Sequence, residues 1–315
     1  MESPPLVHMS LERGSFTCTR YCASYWRQLR DRTTVLLYEK ALQLAEWPRG
    51  VYLMTCTDGM EPAQMNLARA LHARLMERPE ACAVLNQPGR TLGRFALLKK
   101  LRETGINDFD VHRVTDLPQD IAFPVFVRYE RFHRANLTDL IHTRAELDDT
   151  LARLLVGAEV ADELLVVEWL DYKDEDGIYR KWGAQKVGPH VYGKHLMAGS
   201  HWMVKRKTTD LKAVANDELP YVTEFPHHSE LGPVWEVSGH EWARMDYSFY
   251  KGRLQVWEIN DNPEMGTKWK RDFGRKQIGR QVFANFDRAL DDVAKGVQPG
   301  PPMEFRLTAQ NALGR

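Results

Sequence analysis

Apolar positions along the chain switch between helical and strand spacing in a regular order. Residues 23–45, ASYWRQLRDRTTVLLYEKALQLA, carry them at helical spacing and predict a helix. Pro48 and Gly50 then break the chain, and VYLMTC (51–56) reads as a buried strand. The TDGMEP loop leads into a helix over 62–76, with Pro62 suited to its first turn. ACAVLN (81–86) is a second short strand; after Pro88 and Gly89, LGRFALLKKLRETG is a second helix with Gly105 as its C-cap. This alternation predicts a small α/β lobe that ends near residue 95. The first fifteen or so residues, MESPPLVHMSLERGS, read as a loose arm.

Beyond that lobe, DVHRV and FPVFVR (123–128) are strand-like, RAELDDTLARLLVG is helical, and LLVVEWL (164–170) is a strand. GIYRKWGAQKVGPHVYGKHLMAG predicts two or three antiparallel strands with glycine turns, and HWMVKRK extends them. Residues 210–230 read as irregular or helical. WARMDYSFY and RLQVWEIN flank Lys251 and Gly252, which form a hairpin turn. A helix over 275–294 follows, and VQPGPPMEF begins a C-terminal tail.

Composition narrows the picture. Lys+Arg and Asp+Glu both number 43, so no global field favours nucleic acid or an anionic membrane, and any anion site is local. Cys18, Cys22, Cys56 and Cys82 are too few and too irregular for a disulfide framework, and Cys18 and Cys22 lack a second Cys/His pair for zinc. No window approaches the ~20 apolar residues of a membrane span, and no secretory pattern opens the chain, so a reduced, cytoplasmic protein is expected.

The chemistry concentrates in the hairpin. Side chains on a strand alternate faces, so Glu258 and Asn260 point the same way while Trp257 and Ile259 point the other. A two-residue turn at Lys251 and Gly252 would pair Asp246 with Trp257 and separate the carboxylates. A three-residue loop, Lys251 to Arg253, would pair Asp246 with Glu258 and Arg244 with Asn260. The second register is expected, because it gathers two carboxylates, an amide and a guanidinium on one face. Such a donor set, without His or Cys, suits a hard cation such as Mg²⁺ held together with substrate phosphates. A hairpin with a merely solvated polar face is the alternative.

ARMDYSFYKGRLQVWEINDNPEMG resembles the hairpin of the ATP-grasp superfamily, whose carboxylate–amine ligases include D-alanine–D-alanine ligase and glutathione synthetase. FPVFVR, VVEWLD and VLNQPGR support the resemblance by order and spacing. It implies an α/β fold, α+β in its C-terminal part: an N-terminal α/β lobe (1–95), a small ATP-grasp lobe (96–170), a large lobe with the metal hairpin (171–297) and a tail (298–315). It also implies an ATP-dependent ligase that activates a carboxylate as an acyl phosphate for attack by an amine. Asp246, Glu258 and Asn260 become Mg²⁺ (or Mn²⁺) ligands, and Arg244 the catalytic residue that steadies the transferring phosphate or tetrahedral intermediate. Around Glu168, Trp169 and Leu170 the chain reads adenine, with Glu168 or Asp171 on the amino group or ribose. Arg128 and Arg94 stand where the family usually has nucleotide-binding lysines, with Lys99 a nearby competitor. Arg180, Lys181, Lys186, Lys205, Arg206 and Lys207 supply positive charge, Lys186 among the residues assigned to ATP.

One departure follows Arg128. Many family members close a glycine-rich loop over the phosphates, whereas YERFHRANLTDL has no glycine and offers His133, Arg134, Asn136 and Thr138 instead. His195, His201, His227 and His228 lack zinc-like spacing. The expected partners are ATP and a small-molecule or peptide carboxylate plus an amine, with no nucleic acid and no membrane; a homodimer is the prior for a soluble enzyme. An ATP-grasp kinase acting on a small acceptor and a non-catalytic nucleotide-binding protein are the competing readings.

Overall fold

The structure, a computed structural model, describes residues 5–18, 27–131, 136–156, 161–205, 209–214, 216–264 and 273–308. Two N-terminal expectations are corrected. LVHMS is not a loose arm but strand β1 (Leu6–Ser10), every residue of it buried. Residues 23–45 do not form one helix: among the described residues Arg27–Arg30 make one helical turn, TTVLL forms strand β2 (Thr33–Leu37), and Tyr38–Gln43 make a 3-10 turn. β-Branched Thr33, Thr34 and Val35 favour a pleated surface, and an edge strand that is half-buried at every position shows neither period clearly.

Strand β3 (Glu46–Trp47) precedes β4 (Gly50–Met54), helix α1 (Pro62–Met76) and β5 (Cys82–Leu85). The first sheet is parallel throughout, in the order β2-β1-β4-β5. Helix α1 begins where expected, with Pro62 in its first turn and a reciprocal Glu61/Gln64 capping box. Its Leu67, Ala68, Leu71 and Leu75 bury against the face that carries Tyr52 and Met54. The C-terminal tail returns to the core of this lobe and forms a separate two-stranded sheet there. β13 (Met303–Glu304) pairs with β3, and Phe305 stacks on Trp47 at 5.1 Å.

Helix α2 (Arg94–Glu103) leads to a three-stranded antiparallel sheet of β6 (Val111–Arg113), β7 (Val125–Tyr129) and β8 (Leu164–Glu168), ordered β6-β8-β7. Strict alternation gives it two apolar faces. Val125, Val127, Leu164 and Val166 meet Leu147 and Leu151 of helix α3 (Arg144–Val156), while Phe126, Leu165 and Val167 meet Leu98 of α2.

The third sheet has the order β10-β9-β11-β12, from β9 (Tyr179–Val187), β10 (His190–Gly199), β11 (Trp242–Tyr250) and β12 (Arg253–Asn260). His201 to Lys205 do not continue β10 as a strand, and Arg206 and Lys207 lie outside the described residues. Its back packs on α4 (Glu218–Glu224), α5 (His228–Ser238) and α6 (Phe273–Val293). Asn86 splices the first sheet to the third: its side chain donates to the carbonyls of Met54 and Trp242 and accepts from the amides of Glu241 and Trp242. Among the described residues no helix is long and apolar enough to cross a membrane.

Candidate functional site

The hairpin reaches the expected pairing by an unexpected route. Lys251 and Gly252 both have positive φ, 50° and 74°, as a two-residue hairpin turn requires, and Tyr250 pairs with Arg253. The three-residue loop is therefore corrected. Regular pairing runs as far as Tyr247 and Val256, where Trp257 enters as a β-bulge, and beyond it Asp246 faces Glu258 and Arg244 faces Asn260. The bulge is anchored from both sides. Trp257 stacks on Phe109 at 4.9 Å and meets Tyr172 at 5.0 Å, and its indole N–H donates to Ser248. On the open edge of β12, the Asn107 side chain accepts from the Val256 amide and donates to its carbonyl.

The row continues across the sheet as His195, Gly183, Asp246 and Glu258. A Cβ on residue 183 would come within 2.4 Å of the His195 ring, so glycine lets that ring lie across β9, its Nε2 4.0 Å from Asp246. Burial holds His195 neutral, well below its ordinary pKa. Arg244 Nε donates to Asp246 Oδ1 at 2.7 Å, and Lys181 Nζ lies 3.2 Å from Oδ2. Burial disfavours the Asp246 ion, but Arg244 and then Lys181 outweigh it and hold the group at about 2. Glu258 Oε2 accepts from Arg94 Nη2 at 2.8 Å and Arg128 Nη2 at 2.9 Å, and Arg244 Nη2 is 4.0 Å from Oε1. Burial, then Arg94, lower the Arg128 pKa to about 10. Four cations thus surround two carboxylates, leaving a local excess of two positive charges in a chain of zero net charge.

This cluster closes one end of a cavity of about 390 Å³. Phe126, Trp169, Tyr172, Trp202 and Trp257 form its aromatic part, and Arg128, Lys181, Lys205 and Glu258 its charged part. Such a shape suits a flat ring joined to a polyanion.

The structure brings Arg128, Trp169 and Glu258 to the cavity, with Asp246 and Arg244 directly behind. Asn260 stands beside Arg244, 5% exposed, and accepts from the Asn262 amide. Arg94 touches Glu258 but does not line the cavity. Glu168 turns the other way: its oxygens accept from the amides of Asp110 and Ala122, and His112 lies 3.5 Å off. Leu170 packs beside Trp169, and Asp171 accepts from the Tyr179 hydroxyl. Lys186 is not brought here. It lies on the opposite face of β9 from Lys181, with its ammonium 5.7 Å from the Trp235 ring. Asn136 lines the cavity, Thr138 accepts from the Val127 amide, and His133 and Arg134 lie outside the described residues. Trp202 and Tyr172 were missed, and one signal existed: an unusual density of aromatic residues between 169 and 202. Lys194, buried where β10 bulges, was missed too; it donates to Gln185 and to the Glu264 carbonyl.

No family model matches the chain, and no curated protein matches it in sequence. Solved structures do match. A D-alanine–D-alanine ligase from Bacillus anthracis complexed with ATP has a TM-score of 0.53 at 13% identity, over 93% of this chain and 99% of that one. The D-alanine–D-alanine ligase from Helicobacter pylori has a TM-score of 0.50 at 11% identity, over 94% and 100%. The chain has the ATP-grasp fold. In an ATP-grasp frame the aromatic cavity lies between the second and third sheets, with the hairpin as its charged floor.

Proposed function

We propose that this ATP-grasp protein is an ATP-dependent ligase. A substrate carboxylate oxygen attacks the γ-phosphorus of ATP and ADP leaves; an amine then attacks the acyl carbon, phosphate leaves, and the nitrogen gives up a proton. The observation that carries the reading is the excess of two positive charges around two in-register carboxylates at the end of an aromatic cavity. Arg128 and Lys181, both on the wall, would take phosphate oxygens, and Arg244 would meet the charge that develops on transfer. Stacking on Trp169, Trp202 and Trp257 would hold the base.

The donor set fits a hard cation that arrives with phosphates. Asp246 and Glu258 face each other across the hairpin and Asn260 adds an amide oxygen one row away. Among the described residues no group of three or more His, Cys, Asp or Glu could cage a bare ion, so nucleotide oxygens would complete the shell of Mg²⁺. The metal would neutralise phosphate charge; positioning and exclusion of water fall to the protein. No strong nucleophile is needed: burial pushes the thiols of Cys56 and Cys82 up to about 11.

The test is product analysis with panels of acids and amines. ADP and phosphate released together, only when both an acid and an amine are present, support ligation. ADP formed without phosphate, with a phosphorylated acceptor in the mass spectrum, would replace ligation with kinase chemistry.

A further inference from the structure

We propose that Arg94 is a positioning residue that acts on the metal site through Glu258 and does not touch the nucleotide. The inference rests on the ATP reading above, and departs from the nucleotide contact that the sequence suggested for this arginine. Arg94 is the first residue of α2, and its side chain is only 5% exposed. Its guanidinium ties three segments together. One terminal nitrogen donates to the carbonyls of Tyr129 and Glu130, at 3.0 and 2.6 Å, where β7 ends; the other donates to Glu258 on β12 at 2.8 Å.

Arg128 reaches the same Glu258 oxygen, at 2.9 Å, but from the cavity side. The two cations are therefore not equivalent. Phosphate oxygens entering the cavity meet Arg128 and Lys181 on the wall, whereas Arg94 lies behind Glu258 with both of its terminal nitrogens already engaged. When Arg128 turns to phosphate, Arg94 still holds the carboxylate in place. A planar fork reaches the two carbonyls with one nitrogen and the carboxylate with the other, a separation that the single nitrogen of an ammonium does not reproduce.

The experiment measures ATP affinity by quenching of the cavity tryptophans, in EDTA and in Mg²⁺, for wild type, Arg94→Lys, Arg94→Met and Arg128→Met. In EDTA Arg94→Lys, which keeps the local charge, should bind ATP within about twofold of wild type, Arg94→Met no more than about threefold more weakly through the lost charge, and Arg128→Met about tenfold more weakly, as loss of one charge-assisted phosphate contact implies. Mg²⁺ should tighten wild type by about tenfold or more, and both Arg94 variants should lose most of that gain. A large loss in EDTA for Arg94→Met that Arg94→Lys restores would make Arg94 a direct phosphate contact and overturn the proposal. So would a full Mg²⁺ response in Arg94→Lys, which alone decides should Arg94→Met not fold. Wild type that tightens with no metal also refutes the positioning role, whereas wild type that binds no nucleotide overturns the ATP reading itself.

Discussion

Glu258→Gln should destabilise the nucleotide-free protein, and ATP should return much of the loss. The Glu258 side chain is 16% exposed and one of its oxygens accepts from both Arg94 and Arg128. Removing the anion leaves two buried guanidinium groups side by side; breaking a buried ion pair from one end typically costs about 3–5 kcal/mol. Glutamine keeps a carbonyl that can accept from one arginine, which returns about 1 kcal/mol and leaves a net of about 2–4 kcal/mol. With an unfolding entropy of about 2.1 cal/mol/K per residue, the whole chain lowers its midpoint by about 3–6 °C. Neutralising Glu258 also raises the local excess to three positive charges, so ATP in EDTA supplies the missing anion. Thermal melts followed by tryptophan fluorescence, with and without ATP and EDTA, read both effects. The variant should melt lower when empty and gain more from ATP than wild type does, while Mg²⁺-dependent ADP release is lost. A midpoint within about 1 °C of wild type, or a deficit unchanged by ATP, would refute the charge argument.

Strand parity makes Lys181→Met and Lys186→Met a matched pair: the first should weaken ATP binding by about tenfold, and the second should leave it within about twofold, by titration of tryptophan quenching. Trp202→Ala removes a ring that packs 5.2 Å from Phe126 and lines the cavity. The loss of one stacking partner predicts ATP affinity lower by about five- to a hundredfold in the same titration. Asp246 sits at about 2 instead of 3.8, so the stability this shift confers is complete above pH ~4 and is lost as pH falls through about 2, on the order of 2 kcal/mol. The gap in urea-unfolding free energy between wild type and Asp246→Asn should therefore narrow from pH 5 to pH 2.5; a constant gap refutes it. Asn107→Ala leaves the buried Val256 amide and carbonyl without the side chain that satisfies them, and should cost about 2–3 kcal/mol by the same melts.

The sequence was legible where one period dominates a segment. Helix α1 carries its capping residues and starts at Pro62, and β7 and β8 fall on the FPVFVR and LLVVEWL segments read as strands. It misled where exposure does not alternate along a strand: β1, buried throughout, looked like an arm, and β2, half-buried at every position, dissolved into a helical pattern. Side-chain direction at strand ends was the other gap. Glu168 and Lys186 carry the right chemistry, but one is spent on the amides of Asp110 and Ala122 and the other faces Trp235. Tail residues Met303, Phe305 and Leu307 are buried by contacts with residues more than 200 positions away, which no local pattern announces.

The bulge shows why a correct pairing could be reached from a wrong turn. Side chains on a strand repeat every two residues, so a shift of one exchanges the faces, and either a longer loop or an extra residue within the strand supplies that shift. Sequence pattern alone distinguishes neither, because both leave the same residues opposite one another beyond the insertion. The structure favours the strand because Trp257 has somewhere to go: its ring fills the wall between Phe109 and Tyr172, and its indole N–H finds Ser248. One residue therefore sets the carboxylate pairing and lines the cavity above it. Asn107 completes the arrangement from outside β12, where among the described residues no further strand takes the Val256 backbone. The register of the candidate metal site is held by an aromatic side chain on one edge and by an amide from a loop on the other, with the tight Lys251–Gly252 turn fixing only the count from which the shift is measured.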